Sequence, residues 1–210
     1  MITSLVAKSQ LEPGDRLIGG AVNVYSSSYA YTYSNNPTNN VNSFGSGFVP
    51  RYSWVRKNNR MNGVFLNANY SHSKTTGTPN PSEFSKSDYL SLGLGYFIRK
   101  YNDFNQQLGW FLEYNGVGSY SINKHEQNYF GSNANSRSAA IAVGVNVSPG
   151  LYYKASRAVL VEAAFGGVNA SYSRSKGAGT KSSGFNIGLN FPSNFSFGLQ
   201  FFLPRKESIK

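Results

Sequence analysis

The chain has no cysteine, which removes disulfide frameworks, thiol nucleophiles and thiolate metal sites together. It is also poor in charge. Only 14% of its 210 residues are Asp, Glu, Lys or Arg, where a soluble domain of this size usually carries about 25%. Nowhere do the roughly 20 consecutive apolar residues of a membrane-spanning helix occur, so helical insertion is excluded. No basic run exceeds two residues and no nucleic-acid-binding module is visible, so the formal charge of +11 does not point to nucleic acid. No Walker-type or dinucleotide motif follows a strand. The Gly-X-Gly of LGLGYF lies inside an alternating segment, where small inward residues explain it better than phosphate binding. Neither a cofactor nor a metal is indicated.

What the chain does contain is aromatic, small and uncharged: 15 Tyr, 15 Phe and 22 Gly, with polarity supplied mainly by Ser, Asn and Thr. Its apolar residues recur with period two. From Phe185 to Leu203 the odd positions run Phe185, Ile187, Leu189, Phe191, Ser193, Phe195, Phe197, Leu199, Phe201 and Leu203, against mainly Asn, Gly, Ser and Gln. Leu90, Leu92, Leu94, Tyr96 and Ile98 likewise oppose Ser91, Gly93, Gly95, Phe97 and Arg99. Val64 to Tyr70, Trp110 to Tyr114 and Ile141 to Val147 follow the same template, the last continuing through Pro149 to Leu151 and Tyr153. Proline there implies a bulge or a strand end. After Val159, Val161, Ala163 and Phe165 the apolar parity flips at Gly166-Gly167 to Val168, Ala170 and Tyr172, which reads as a β-bulge. Two weaker segments, 17 to 32 and 44 to 56, bring the total to eight.

In a membrane barrel successive side chains face lipid and lumen in turn, and each strand needs about 9 to 11 residues to cross. The expected fold is therefore all-β: an eight-stranded antiparallel up-and-down transmembrane β-barrel over 16–203. Residues 1–15 and 204–210 are expected as periplasmic N- and C-terminal segments. Short turns are expected around 56 to 60, 100 to 107 and 154 to 157, facing the periplasm. Long loops rich in Asn, Ser, Gly, Thr and Pro are expected over roughly 33 to 43, 72 to 87, 121 to 137 and 173 to 183, facing outward and disordered unless bound. The first residues, MITSLVAKSQLEPGD, are too short and polar for an intact secretory signal. The numbering is therefore expected to start on a processed or expressed chain.

The segments LIGGAVNVYSSS, LGLGYFIRKYN and SPGLYYKASRAVLVEAAFGG resemble small outer-membrane β-barrel proteins common in Bacteroidetes, of the OmpA/OmpW-like eight-stranded kind. The likeness spans about residues 16 to 203. It implies that Ser148 to Tyr153 end a strand entering a periplasmic turn, and that the closing strand ends on Phe201 and Phe202. Leu203 to Lys210 continue past that aromatic end. The resemblance implies an outer-membrane location and architecture, not an activity.

Four charged residues lie at inward positions in mid-strand: Arg51, Arg99, Glu113 and Glu162. Because eight strands enclose an interior just wide enough for side chains, they are expected to form a structural ion-pair network that plugs the lumen. The rival use of the same charges is to line a narrow solute path. His72 with Ser71 and Ser73, and His125 with Glu126, are weighed as rim catalytic groups and set aside. A nucleophile, its base and an orienting group must converge, and in a Ser-rich chain a Ser falls near any His by chance. Trp54, Trp110, Tyr152 and Tyr153 are expected in an interfacial aromatic girdle. Lys74, Lys86, Lys124, Arg137, Arg174, Lys176 and Lys181 are expected to meet the phosphates of lipopolysaccharide in the outer leaflet. The functional expectation is a non-enzymatic structural or accessory subunit of a larger outer-membrane complex, ahead of a narrow porin-like channel and a rim-site lipid-modifying enzyme.

Overall fold

The computed structural model describes residues 11–31, 39–77, 84–129, 132–156, 158–177 and 180–204, without the side chains of 129 and 190–195. Residues 1–10 and 205–210, which make up most of the expected terminal segments, lie outside the described residues. Eight strands follow in chain order: β1 (Arg16–Tyr31), β2 (Asn39–Arg56), β3 (Arg60–Gly77), β4 (Phe84–Asp103), β5 (Leu108–Tyr129), β6 (Ser132–Lys154), β7 (Val159–Gly177) and β8 (Thr180–Leu203). Each pairs antiparallel with the next, and β8 returns to β1 to close the barrel.

The period-two pattern decides which way each strand faces. On β4, Leu90, Leu92, Leu94, Tyr96 and Ile98 are exposed on the outer wall, while Phe97 and Arg99 between and beside them are buried. The same division separates Val64 and Leu66 from Phe65 on β3, and Trp110 and Tyr114 from Phe111 and Glu113 on β5. Such an inverted arrangement, apolar outside and polar or packed inside, has no stabilising role in water and is what a lipid surround demands.

Parity is reset where the sequence placed the bulge. Gly166 and Gly167 have φ of 41° and 150°, a region glycine alone enters freely. The β6–β7 register shifts there between Val147 and Gly150, and the β7–β8 register shifts between Phe165 and Gly167. In the latter, β8 passes from Phe195 to Asn190 while β7 advances two residues, and Pro192, which lacks an N–H, falls inside that stretch. Asn58 and Asn59 take positive φ in the turn between β2 and β3, a conformation Asn tolerates better than most residues.

Two expectations about the connections need correction. β4 runs on to Asp103, so the turn after it begins at 104 and is shorter than the sequence suggested, and β6 runs to Lys154, so the turn after it begins one residue later than expected. At the opposite end most of the expected loop sequence is strand. Residues 39–43, 72–77, 84–87, 121–129, 132–137, 173–177 and 180–183 continue the ladders. Ser43 and Ser73 are cross-strand partners 3.0 Å apart, and Ser175 and Ser182 are 2.7 Å apart. Polar side chains there do not oppose strand structure, because the ladder satisfies the backbone whatever the side chains are.

Closure between β1 and β8 is narrower than the other pairings. It runs from Arg16↔Leu203 to Ala21↔Gly198, six pairs against sixteen between β1 and β2. Gly19 sits in this seam, where a Cβ would collide with the Leu199 carbonyl oxygen and the Gln200 Cα of β8. Replacing Gly19 by Val is expected to cost about 1–3 kcal/mol of stability by prising the seam open. Gly118→Ala, at a site with nothing within 4 Å, is the neutral comparator. Urea unfolding in detergent, followed by loss of the fast-migrating unboiled form on a gel, reads both; equal midpoints would mean the seam does not limit stability.

Candidate functional site

The end of the barrel that carries the short turns is packed solid. Leu17, Val55, Met61, Phe65, Phe97, Tyr101, Phe111, Tyr152 and Leu160 form one buried cluster. Leu11 adds to it from the segment before β1, where Gly14 N–H donates to the Val55 carbonyl and Val55 N–H to the Asp15 carbonyl. Rings fit because their direct cross-strand partners are glycines. A Cβ at Gly95 would strike the Phe65 ring, one at Gly63 the Phe97 ring and one at Gly150 the Phe111 ring.

Above this layer the strands bring Arg51, Arg99, Glu113 and Glu162 together. Arg99 and Glu113 are direct cross-strand partners, and Arg99 Nε donates to Glu113 Oε2 at 2.5 Å. Arg51 Nη1 reaches the same carboxylate oxygen at 2.8 Å, and Arg99 Nη1 bridges on to Glu162 Oε1. The guanidinium of Arg99 lies 4.4 Å from the Phe111 ring centroid and 5.2 Å from that of Phe97, and Arg51 lies 5.2 Å from Phe97 and 5.6 Å from Phe65. Two cations and two anions thus form one neutral layer, desolvated by aromatic faces that also attract the cations.

The sequence reading missed part of this layer. Tyr101 donates to Glu162 Oε1 at 3.0 Å and accepts from Arg99 Nη1 at 3.2 Å, and Asn115 Nδ2 donates to Glu113 Oε1 at 2.9 Å. Both stand two residues from a charged member, on its own parity. Tyr101 falls within the stretch 100 to 107 expected as a turn, and Asn115 extends the inward series of Phe111 and Glu113 on β5. Next to the layer, Ser53 Oγ donates to Gln200 Oε1 at 3.2 Å.

Beyond the charged layer the lumen opens into a polar cavity of about 480 Å³, lined by Asn23, Asn67, Asn69, Asn115 and Asn146 among others. It opens away from the packed end.

On the outer wall, Trp54, Trp110 and Tyr153 all sit at the packed end. Trp54 is tilted against Tyr52 and Tyr96, ring centroids 6.2 and 6.4 Å away. Tyr152 is not part of this girdle. It is 2% exposed, set edge-on to Tyr101 at 5.1 Å, and donates its hydroxyl to Asp103. Two consecutive strand residues cannot share a face, and Tyr153 takes the outer one.

The expected rim groups do not converge. His72 and His125 lie in β3 and β5 rather than in loops. His72 faces outward and donates to Asp88 at 2.8 Å, while Ser71 and Ser73 occupy the inward parity. His125 and Glu126, being adjacent on a strand, face opposite sides. Asp88 stands past the last apolar outward residue of β4. The hydrogen bond from His72, then that from Tyr70, holds its carboxyl below the usual carboxylate range. The seven basic residues named above all lie on strand extensions at outward parity, with Lys124, Arg137, Arg174, Lys176 and Lys181 exposed and Lys74 and Lys86 half-buried.

No family model and no curated protein matches the chain. Among solved structures it is similar to Neisserial surface protein A, with 17% identity, a TM-score of 0.34, and coverage of 90% of this chain and 96% of that one. It is also similar to the outer membrane protein Ail of Yersinia pestis, with 16% identity, a TM-score of 0.27, and coverage of 90% and 99%. The eight-stranded ring is read from the strand pairing itself.

Removing one partner from a buried ion-pair layer leaves an uncompensated charge, which typically costs about 3–5 kcal/mol. Glu113→Gln, which leaves two guanidiniums facing one carboxylate, is expected to lower the urea-unfolding free energy by that amount. Glu126→Gln on the outer wall should change it by less than about 0.5 kcal/mol. Similar small losses in both variants would show that the layer contributes little to the fold.

Proposed function

We propose that the chain is a non-enzymatic outer-membrane β-barrel that does not conduct, and that it serves as a structural or accessory subunit docked on a larger outer-membrane complex. The observation that carries this reading is the lumen, closed across one end by an apolar plug and a neutral ion-pair layer. With one end of its interior closed by its own side chains, the barrel offers its outer wall and strand extensions as the surfaces through which it acts.

The membrane setting is supported by the outward surface. The outward apolar run from Leu90 to Ile98 covers about 27 Å along the strand at roughly 3.4 Å per residue, or about 20 Å of depth at a tilt near 40°. With the aromatic residues at its edges this suits the apolar band of roughly 25 Å seen on outer-membrane barrels. In the proposed orientation the short turns and the packed end face the periplasm, with both chain ends, and the strand extensions face out. The Bacteroidetes-type barrels that the sequence resembles supply the corresponding setting.

Docking is supported by the final strand, where Phe185, Ile187 and Leu189, and again Phe197, Leu199 and Phe201, present bulky exposed side chains on the outer wall. Purification of tagged protein from its native outer membrane in mild detergent is expected to recover a discrete complex at fixed stoichiometry, read by native mass measurement. Recovery as a lone barrel overturns the accessory role. The polar cavity motivates the second reading, a narrow solute path. Planar bilayers carrying the purified barrel are expected to stay silent; steady conductance whose ion selectivity shifts with Glu113→Gln would replace the plug with a channel.

A further inference from the structure

We infer that the outer wall of β5 to β8 carries a binding site for one phosphorylated glycolipid of the outer leaflet, with an acyl chain in a groove along β6 and a phosphomonoester held by Arg174, Lys176 and Lys181. The inference rests on the orientation proposed above.

Side-chain size along three neighbouring strands shapes the groove. Outward residues of β6 read Ala139, Ile141 and Val143. They are flanked by Tyr120 of β5, the cross-strand partner of Ile141, and by Tyr172 of β7, the partner of Val143. The trough between these two tyrosines has a volume of about 700 Å³. Its floor is apolar, and its outer end is bounded by Arg174, Lys176 and Lys181. Arg174 and Lys176 follow Tyr172 at two-residue steps, so they stand about 7 and 14 Å farther along the strand. That is the order of an amphiphile at an interface, chain below and anionic head above.

Charge distribution selects this wall over the rest of the belt. Lys176 and Lys181 are directly opposed cross-strand partners, an arrangement that is destabilising on its own. No ion pair involves either of them, or Arg174, among the described residues. Of the other opposed cation pairs on the strand extensions, Lys124 and Arg137 lie on this same wall, whereas Lys74 and Lys86 are arranged differently. Lys86 is the partner of Glu126 and lies 4.6 Å from the Phe84 ring centroid, and Asp88 follows on the same outward face. Around the groove itself the outward positions Ile122, Lys124, Arg137, Ala139, Arg174, Lys176, Lys181 and Ser183 carry no carboxylate, and Glu126, farther out on β5, stands opposite Lys86 of β4. Three cations suit a phosphomonoester of about two negative charges better than a phosphodiester of one. This favours the sugar-borne phosphates of lipid A over an ordinary phospholipid.

The test is native mass spectrometry of the purified barrel titrated with bis-phosphorylated lipid A, with its dephosphorylated counterpart and with phosphatidylglycerol. Wild type is expected to retain one lipid A. The double variant K176Q/K181Q is expected to weaken retention at least tenfold, and Ala139→Trp, which fills the trough with every charge in place, by a similar factor. K57Q/K100Q removes the same charge at the short-turn end and should stay within twofold of wild type, with all variants checked for the fast-migrating folded form. Equal losses in the two double variants, or equal retention of lipid A and either comparator lipid, overturns the site. The titration reads the site whatever the cellular location. Failure of the proposed setting would appear separately, as absence of the protein from the outer-membrane fraction.

Discussion

The width of an eight-stranded ring governs the rest of this structure. A closed antiparallel barrel of that size has room inside for side chains and little else, so every inward residue must be packed, paired or small. The charged residues obey this constraint. Arg51, Arg99, Glu113 and Glu162 lie where unpaired charge would be costly to desolvate, and they meet in a neutral layer finished by Tyr101 and Asn115. The inward glycines obey it as well. Gly63, Gly95 and Gly150 give up side chains so that the rings of their cross-strand partners Phe97, Phe65 and Phe111 can lie over them.

The same period-two geometry made part of this arrangement legible in the sequence. Parity alone put the four charged residues on the inner face and located the bulge at Gly166-Gly167, because an apolar run that changes face must gain or lose a residue. It failed where one face has no distinct chemistry. In 121–129 and 173–177 both faces are polar, Lys124, Glu126, Arg174 and Lys176 outward against Ser121, Asn123, Ser173 and Ser175 inward, so no apolar alternation marks them as strand although the ladder continues unbroken. Tyr152 was misplaced for another reason. Tyrosine near a strand end suits either a lipid interface or a hydrogen-bonded lumen, and composition cannot tell them apart. The pairing of Tyr152 with Tyr153 in sequence could have, since only one of two neighbours can face lipid.

Ring closure is uneven, and this has consequences for both faces. β1 and β8 share pairs only from Arg16 to Ala21, next to the packed plug, where Leu17 is fully buried and Phe202 packs against the cluster. Toward the other end, the irregular stretch of β8 between Asn190 and Phe195 sets that strand's course independently of β1. The plug therefore does two things at once. It closes the lumen and holds the seam, which explains why large rings, a buried charge layer and the tightest backbone approach, at Gly19, are concentrated at one end.

Charge is divided between the two faces by the same logic. The lumen layer pairs two cations with two anions, so the formal excess of +11 resides outside it. On the outer wall cations cannot be placed within an apolar band without loss, since Lys or Arg at the bilayer midplane costs about 2–4 kcal/mol and close to nothing near the interface. They gather at the turns, as Arg56, Lys57 and Arg60 do, or on the strand extensions. Extending the strands past the membrane therefore has a chemical effect that a loop would not have. It fixes Arg174, Lys176 and Lys181 at set heights above Tyr172 and on one face, replacing a mobile cloud of positive charge with a spaced array. An array of fixed spacing discriminates between anions by charge and shape, which screened attraction to a charged surface does not do.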